Sequence, residues 1–121
     1  MDAMNRLLAL LPALLLPAAV LAQDVPEAAR KDLWCGIAFG IIAADLPADA
    51  SAENKAIAEQ FAGGSETLVA RAATAHIEAG YSEAAFAAYK AEQDAAVAAN
   101  MSGPQADYAY SYEDCATLIG L

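Results

Sequence analysis

Asp32-Leu33-Trp34-Cys35-Gly36-Ile37-Ala38-Phe39-Gly40-Ile41-Ile42-Ala43-Ala44 is the stretch that decides the fold. Leu33, Trp34, Ile37, Ala38, Ile41 and Ile42 recur at intervals of three and four, which is the period of one helical face. From Leu33 to Ala44 no side chain carries a charge. That run is too short to span a bilayer, which takes about 20 apolar residues, so it predicts a central helix buried by its neighbours. The helix should start after Pro26, with Glu27 at its positive end, and stop at Asp45-Leu46-Pro47. Gly36 and Gly40 fall on one side of it. Each costs about 1 kcal/mol against alanine in an exposed helix, and their expected use is to let a neighbouring backbone come close.

Outward from this helix the pattern stays helical. Asp49 or Ser51 can cap a second helix, with Glu53 in its first turn. Its apolar series, Ile57, Phe61, Gly64, Leu68, Ala72, Ala75 and Ala79, keeps helical spacing across Gly63-Gly64. One long helix over 52–79 is expected, with two helices and Ser65 as the second cap as the alternative. Gly80 closes it. Ser82 caps a third helix whose inner face is Phe86, Tyr89, Ala96 or Val97, and Asn100 or Met101. Ser102-Gly103-Pro104 stops it. After a polar linker to Asp107, Ser111 caps a short last helix carrying Cys115, Leu118 and Ile119. The fold class is all-α: a small bundle of about four helices, closed by one disulfide.

The disulfide follows from compartment. Residues 1–22 read as a cleavable signal peptide: Arg6, then Leu, Ala, Val and Pro only from Leu7 to Leu21, with Val20-Leu21-Ala22 ahead of a cut before Gln23. Residues 23–121 would form a single helical domain, exported to the periplasm or, alternatively, the extracellular space. There the only cysteine pair, Cys35 and Cys115, would be oxidised. Of the chain's 16 acidic and 6 basic residues, Asp2 and Arg6 leave with the signal, and the net charge stays at −10. That balance repels phosphate backbones and anionic headgroups, so neither nucleic acid nor, after cleavage, a membrane is an expected partner.

No catalytic, metal or cofactor site is predicted, and the chain is expected not to be an enzyme. His76, the single histidine, has no carboxylate on its own helical face; a surface or boundary position is expected for it. The carboxylates are scattered, and Glu113-Asp114 suits the positive end of a helix. Gly63-Gly64-Ser65 is too short for an anion loop. Asn100-Met101-Ser102 matches a glycosylation sequon. The remaining candidate is aromatic. Tyr108, Tyr110 and Tyr112 alternate, which would place them on one side of an extended segment, near Trp34 through the disulfide. They form either a possible interaction surface for an unknown protein partner or a cover over the end of an alanine-rich bundle.

Ala22-Gln23-Asp24-Val25-Pro26, the run Asp32 to Phe39, and Tyr112-Glu113-Asp114-Cys115 resemble small uncharacterised periplasmic proteins of alphaproteobacteria. The resemblance implies a periplasmic home and one disulfide, and no activity. Trp34-Cys35 is similar, more loosely, to acid-stress periplasmic chaperones, which close a shorter loop and carry more lysines. The leading expectation is a non-enzymatic exported protein with a binding or structural role. The alternative is a pH-responsive chaperone, because protonating its carboxylates near pH 4 would swing the net charge from −10 to about +6 or +7. Oligomeric state is not encoded in any of these features.

Overall fold

The computed structural model describes residues 25–121; the expected signal, 1–22, and the cut before Gln23 lie outside the described residues. Among the described residues four α-helices form an all-α bundle: α1 Glu27–Ala44, α2 Ala52–Glu78, α3 Glu83–Met101 and α4 Tyr112–Leu118. A 3-10 turn over Gln105–Asp107 joins the last two. Among the described residues there is no strand.

Every residue from Asp32 to Phe39 is buried, so α1 is covered on all sides. That is why the stretch from Leu33 to Phe39 is uncharged and apolar all round rather than striped. The other three helices pack around it. Complete burial of Leu33 and Phe39, each 1 % exposed, contributes on the order of 2 kcal/mol apiece.

Gly36 does what its position suggests. A Cβ there would lie 2.9 Å from Val69 Cγ2 and 3.2 Å from the Val69 backbone nitrogen. The Ser65 hydroxyl donates to the Gly36 carbonyl at 2.6 Å, and a Cβ at Gly40 would sit 3.0 Å from that hydroxyl oxygen. A core rich in alanine gains contact only through this kind of backbone approach. Beside it, Arg71 of α2 forks onto Asp32 of α1 with bonds of 2.8 and 2.7 Å. Asp32 is buried, and this pairing is what makes its carboxylate tolerable there. The carboxylate in turn raises the Arg71 guanidinium above its ordinary pKa.

α2 is one helix, unbroken across Gly63-Gly64. The two-helix alternative is overturned, and Ser65 bonds to α1 instead of capping. Gly64 opens space for α4: a Cβ there would come within 2.8 and 2.9 Å of Ile119 Cδ1 and Cγ2, whereas Gly63 has nothing within 4 Å. Ser51, Ser82 and Ser111 are the N-caps, accepting from the backbone N–H of Asn54, Ala85 and Asp114. Gly80 turns the chain out of α2 with φ of 110°. Ile57, expected inside, is 44 % exposed, because it faces the end of α1, where Ile42 is itself 38 % exposed.

Cys35 and Cys115 form a disulfide with Cα atoms 5.3 Å apart, joining the middle of α1 to α4. A seven-residue helix is too short to persist alone in water. The bridge and the Ile119 seat on Gly64 hold it.

His76 corrects the sequence expectation. It is fully buried, not at the surface or boundary. It lies on the Leu68–Ala72–His76 line of α2, and the turn at Gly80 folds α3 back so that Tyr81, Phe86 and Tyr89 surround it, with ring centroids 5.1, 5.0 and 5.3 Å away. Nδ1 lies 2.7 Å from the Ala72 carbonyl oxygen and so carries the proton; Nε2 has no hydrogen-bond partner.

Candidate functional site

Two concavities among the described residues differ in chemistry. The wider, about 660 Å³, runs between α1, α2 and α3. Ile37, Ile41, Val69 and several alanines wall it, and its rim holds the Lys90–Asp94 ion pair at 3.1 Å. Ser65 and Glu66 add polar side chains to a lining that is otherwise mostly apolar. The narrower, about 190 Å³, lies between α1 and the segment that runs from α3 into α4, and it is aromatic.

That narrower pocket brings the sequence-predicted residues together. Trp34 and Phe39 come from α1, and Tyr108, Tyr110 and Tyr112 come from the segment opposite. Tyr112 is already the first residue of α4, so the alternation of tyrosines is not a strand. Tyr108 and Tyr110 pack on Trp34 with centroids 6.1 and 5.7 Å away, at 52° and 65°. Tyr112 stands at 87° to Phe39, which stacks on Phe61. The cover reading therefore describes Tyr108 and Tyr110, which are half-buried, while Tyr112 is 56 % exposed at the rim.

Polar side chains hold this segment at four points. Asn100 at the end of α3 donates from Nδ2 to the Asp107 carbonyl at 3.0 Å and accepts from the Ala109 N–H at 2.9 Å. The amide of the sequon is thus engaged within the protein. Tyr108 donates to the Met101 carbonyl at 3.0 Å, and Tyr110 donates to a carboxylate oxygen of Glu27. Lys31 places its ammonium 6.0 Å from the Tyr110 ring centroid. The Tyr110 bond is the main reason that the Glu27 carboxyl sits below its ordinary pKa; desolvation opposes it and Arg30 assists. Burial, and then Glu27, push the Tyr110 phenol up to about 12, so it keeps its proton and remains a donor at neutral pH.

The pocket is suited to binding. Aromatic rings supply apolar area and polarisable faces, and Gln105 and Ser111 supply polar atoms at the edge. None of the described residues lining it is charged. The roles of Glu27 and Asn100 were not read from the sequence; Glu27 is separated from Tyr110 by 83 residues, and nothing local marks such a pair. His76 lies apart, enclosed by its own rings. Among the described residues no group of three or more His, Cys, Asp or Glu is placed to hold a metal, and no helix is long and apolar enough to cross a membrane. No known protein family matches this chain, nor does any curated protein or solved structure.

Proposed function

We propose that the chain is an exported, non-enzymatic binding protein of the bacterial periplasm, and that it binds at the pocket between α1 and the tyrosine segment. The observation that carries this reading is convergence: Trp34 of α1 and the distant segment bearing Tyr108, Tyr110 and Tyr112 line one opening. The bridge between Cys35 and Cys115 joins the two walls, as suits an oxidising compartment. The resemblance to small alphaproteobacterial periplasmic proteins supports the same compartment. The test is a fragment titration followed by amide NMR, using small aromatic, aliphatic and cationic compounds. Hits should shift Trp34, Met101 and residues 108–112 together. Shifts confined to the wide groove, or none at all, refute the reading.

A second reading, a pH-responsive chaperone, draws on a different observation. Ile42, Ile57 and Tyr112 are exposed large apolar side chains at the end of α1 where Phe61 is only partly covered. Once the surrounding carboxylates are protonated, such a patch loses the charge that keeps it from other chains. Suppression of client aggregation at about pH 2–3, with dye binding that rises from neutral pH, supports it; a folded, inert protein under those conditions removes it.

A further inference from the structure

We infer that the ligand of the aromatic pocket is a small organic cation, of the quaternary or tertiary ammonium class. This inference rests on the pocket being the binding site and adds the chemistry of what enters it.

Ring composition is the first argument. Trp34, Phe39, Tyr108, Tyr110 and Tyr112 line a space of about 190 Å³, which suits a head group of a few carbons rather than a drug-sized molecule. In the measured contacts among these five rings the planes stand at 52°, 65° and 87°, so no two of them close face on face. Ring faces carry the negative end of the aromatic quadrupole and attract cations, most strongly for tryptophan and then tyrosine.

The second argument is the fastening of Tyr110. Its hydroxyl donates to the Glu27 carboxylate. A phenol that shares its proton with an anion pushes electron density back into its ring, which deepens the attraction of that ring for a positive charge. The protein already uses this property, since Lys31 lies 6.0 Å from the same ring.

Charge supplies the third. No charged side chain lines the pocket; the Lys31 ammonium beside the Tyr110 ring is a local positive charge, outweighed by the −10 that the chain carries as a whole. Such a field concentrates cations at the surface and keeps anions away. A fully methylated ammonium is the cation that gains most here, because it gives up little hydration on entering an apolar site.

Trp34 is the only tryptophan and lies in the pocket wall, so its emission reports occupancy without a label. The experiment titrates the disulfide-bonded protein with choline and, in parallel, with 3,3-dimethylbutan-1-ol, its uncharged isostere, at constant ionic strength. Choline should change Trp34 emission saturably, and the isostere should bind at least about fivefold more weakly. Tyr112→Leu keeps an apolar wall at an exposed position but removes a ring face, and Glu27→Gln removes the charge behind Tyr110. Each should weaken choline by about two- to fivefold, the range of one exposed cation–π contact, with far-UV circular dichroism unchanged. Equal binding of the isostere overturns the inference but leaves the pocket as a binding site. Choline binding untouched by both substitutions places the cation elsewhere on the acidic surface and also overturns it. Absence of any saturable change for either compound overturns it too, and the fragment titration then decides independently whether the pocket binds anything.

Discussion

Alanine scanning of three glycines tests the packing of α1 against α2 with an internal control. Replacing glycine by alanine inside a helix gains about 1 kcal/mol of propensity wherever the new methyl has room. At Gly63 nothing lies within 4 Å of the added Cβ, so the full gain should appear. At Gly36 the same methyl meets Val69 Cγ2 at 2.9 Å, Leu68 Cβ at 3.1 Å and the Val69 backbone nitrogen at 3.2 Å. A side-chain rotation cannot move the last two, so α1 must shift off α2, stretching the 2.6 Å bond from Ser65 to the Gly36 carbonyl. Overpacking of this kind costs about 1–3 kcal/mol, and with the bond weakened the propensity gain is more than cancelled, leaving a net loss of about 1–2 kcal/mol. Gly64→Ala should fall between the two, because its obstacle is the Ile119 side chain at the end of a short helix. Thermal and urea unfolding followed by circular dichroism would measure this. Gly63→Ala should raise Tm by about 4–8 °C and Gly36→Ala should lower it by about 4–16 °C for a domain of this size. If Gly36→Ala is as stable as Gly63→Ala, the two helices are not in backbone contact and the account of the core fails.

Four other outcomes are expected. Replacing Cys35 and Cys115 together by serine frees a loop spanning 80 residues, a loss of about 4.5 kcal/mol in the chain-entropy treatment, read as a large drop in urea midpoint; a drop under about 1 kcal/mol would show that α4 docks without the bridge. Arg71→Ala leaves the buried Asp32 carboxylate without its partner and should cost about 1–3 kcal/mol. Adding Asp32→Ala should then recover part of that cost, and a double-mutant cycle showing no coupling contradicts the pairing. His76→Phe keeps the ring packing and removes both the unpartnered Nε2 and the Nδ1 bond to the Ala72 carbonyl, so the two effects should offset and stability should change by less than about 1 kcal/mol, whereas His76→Ala should lose about 2–5 kcal/mol; a severe loss for the phenylalanine variant would mean that Nε2 is engaged. In the Tyr110–Glu27 contact the two pKa shifts have opposite consequences. The lowered Glu27 carboxyl contributes stability that is present above its ordinary 4.5 and lost as pH falls through its folded value. The raised Tyr110 phenol contributes below 10, and that contribution is lost as pH rises toward about 12. Burial raises the Tyr89 phenol as well, so a phenolate absorbance titration should show late tyrosines of which only the Tyr110 component moves down in Glu27→Gln; a late component unchanged by that substitution, on folded protein, contradicts the contact.

Much of the architecture was legible because it is written locally. The uncharged run from Leu33 to Ala44 announced the central helix, Ser82 and Ser111 announced two caps, and for the third the structure chooses Ser51 over Asp49. The possible interaction residues were legible as a cluster too, since alternation and the disulfide together put Trp34 beside Tyr108 and Tyr110. Features that depend on two distant segments were not. Asp32 and Arg71 stand 39 residues apart, and each looks like an ordinary surface charge on its own helix. The burial of His76 was not legible from charge on its own helical face, because the rings that enclose it belong to the following turn, Tyr81, and to the next helix, Phe86 and Tyr89. Its spacing of four from Ala72 and eight from Leu68 was the available signal, as both of those are fully buried. The continuity of α2 was legible in its unbroken apolar spacing, whereas the seat that Gly64 offers Ile119 was not.

The bridge between Cys35 and Cys115 has a kinetic consequence. Contacts between α1 and α2 join neighbouring stretches of chain, whereas the pocket joins positions about as far apart as the cysteines, 80 residues in sequence. Closing long loops is slow relative to forming adjacent helices. In the reduced chain, helical signal should therefore return before Trp34 becomes enclosed by Tyr108 and Tyr110. In the oxidised chain the two walls start out tethered, and the two signals should return together. The disulfide would then act as a clock on maturation, setting when the aromatic pocket first closes.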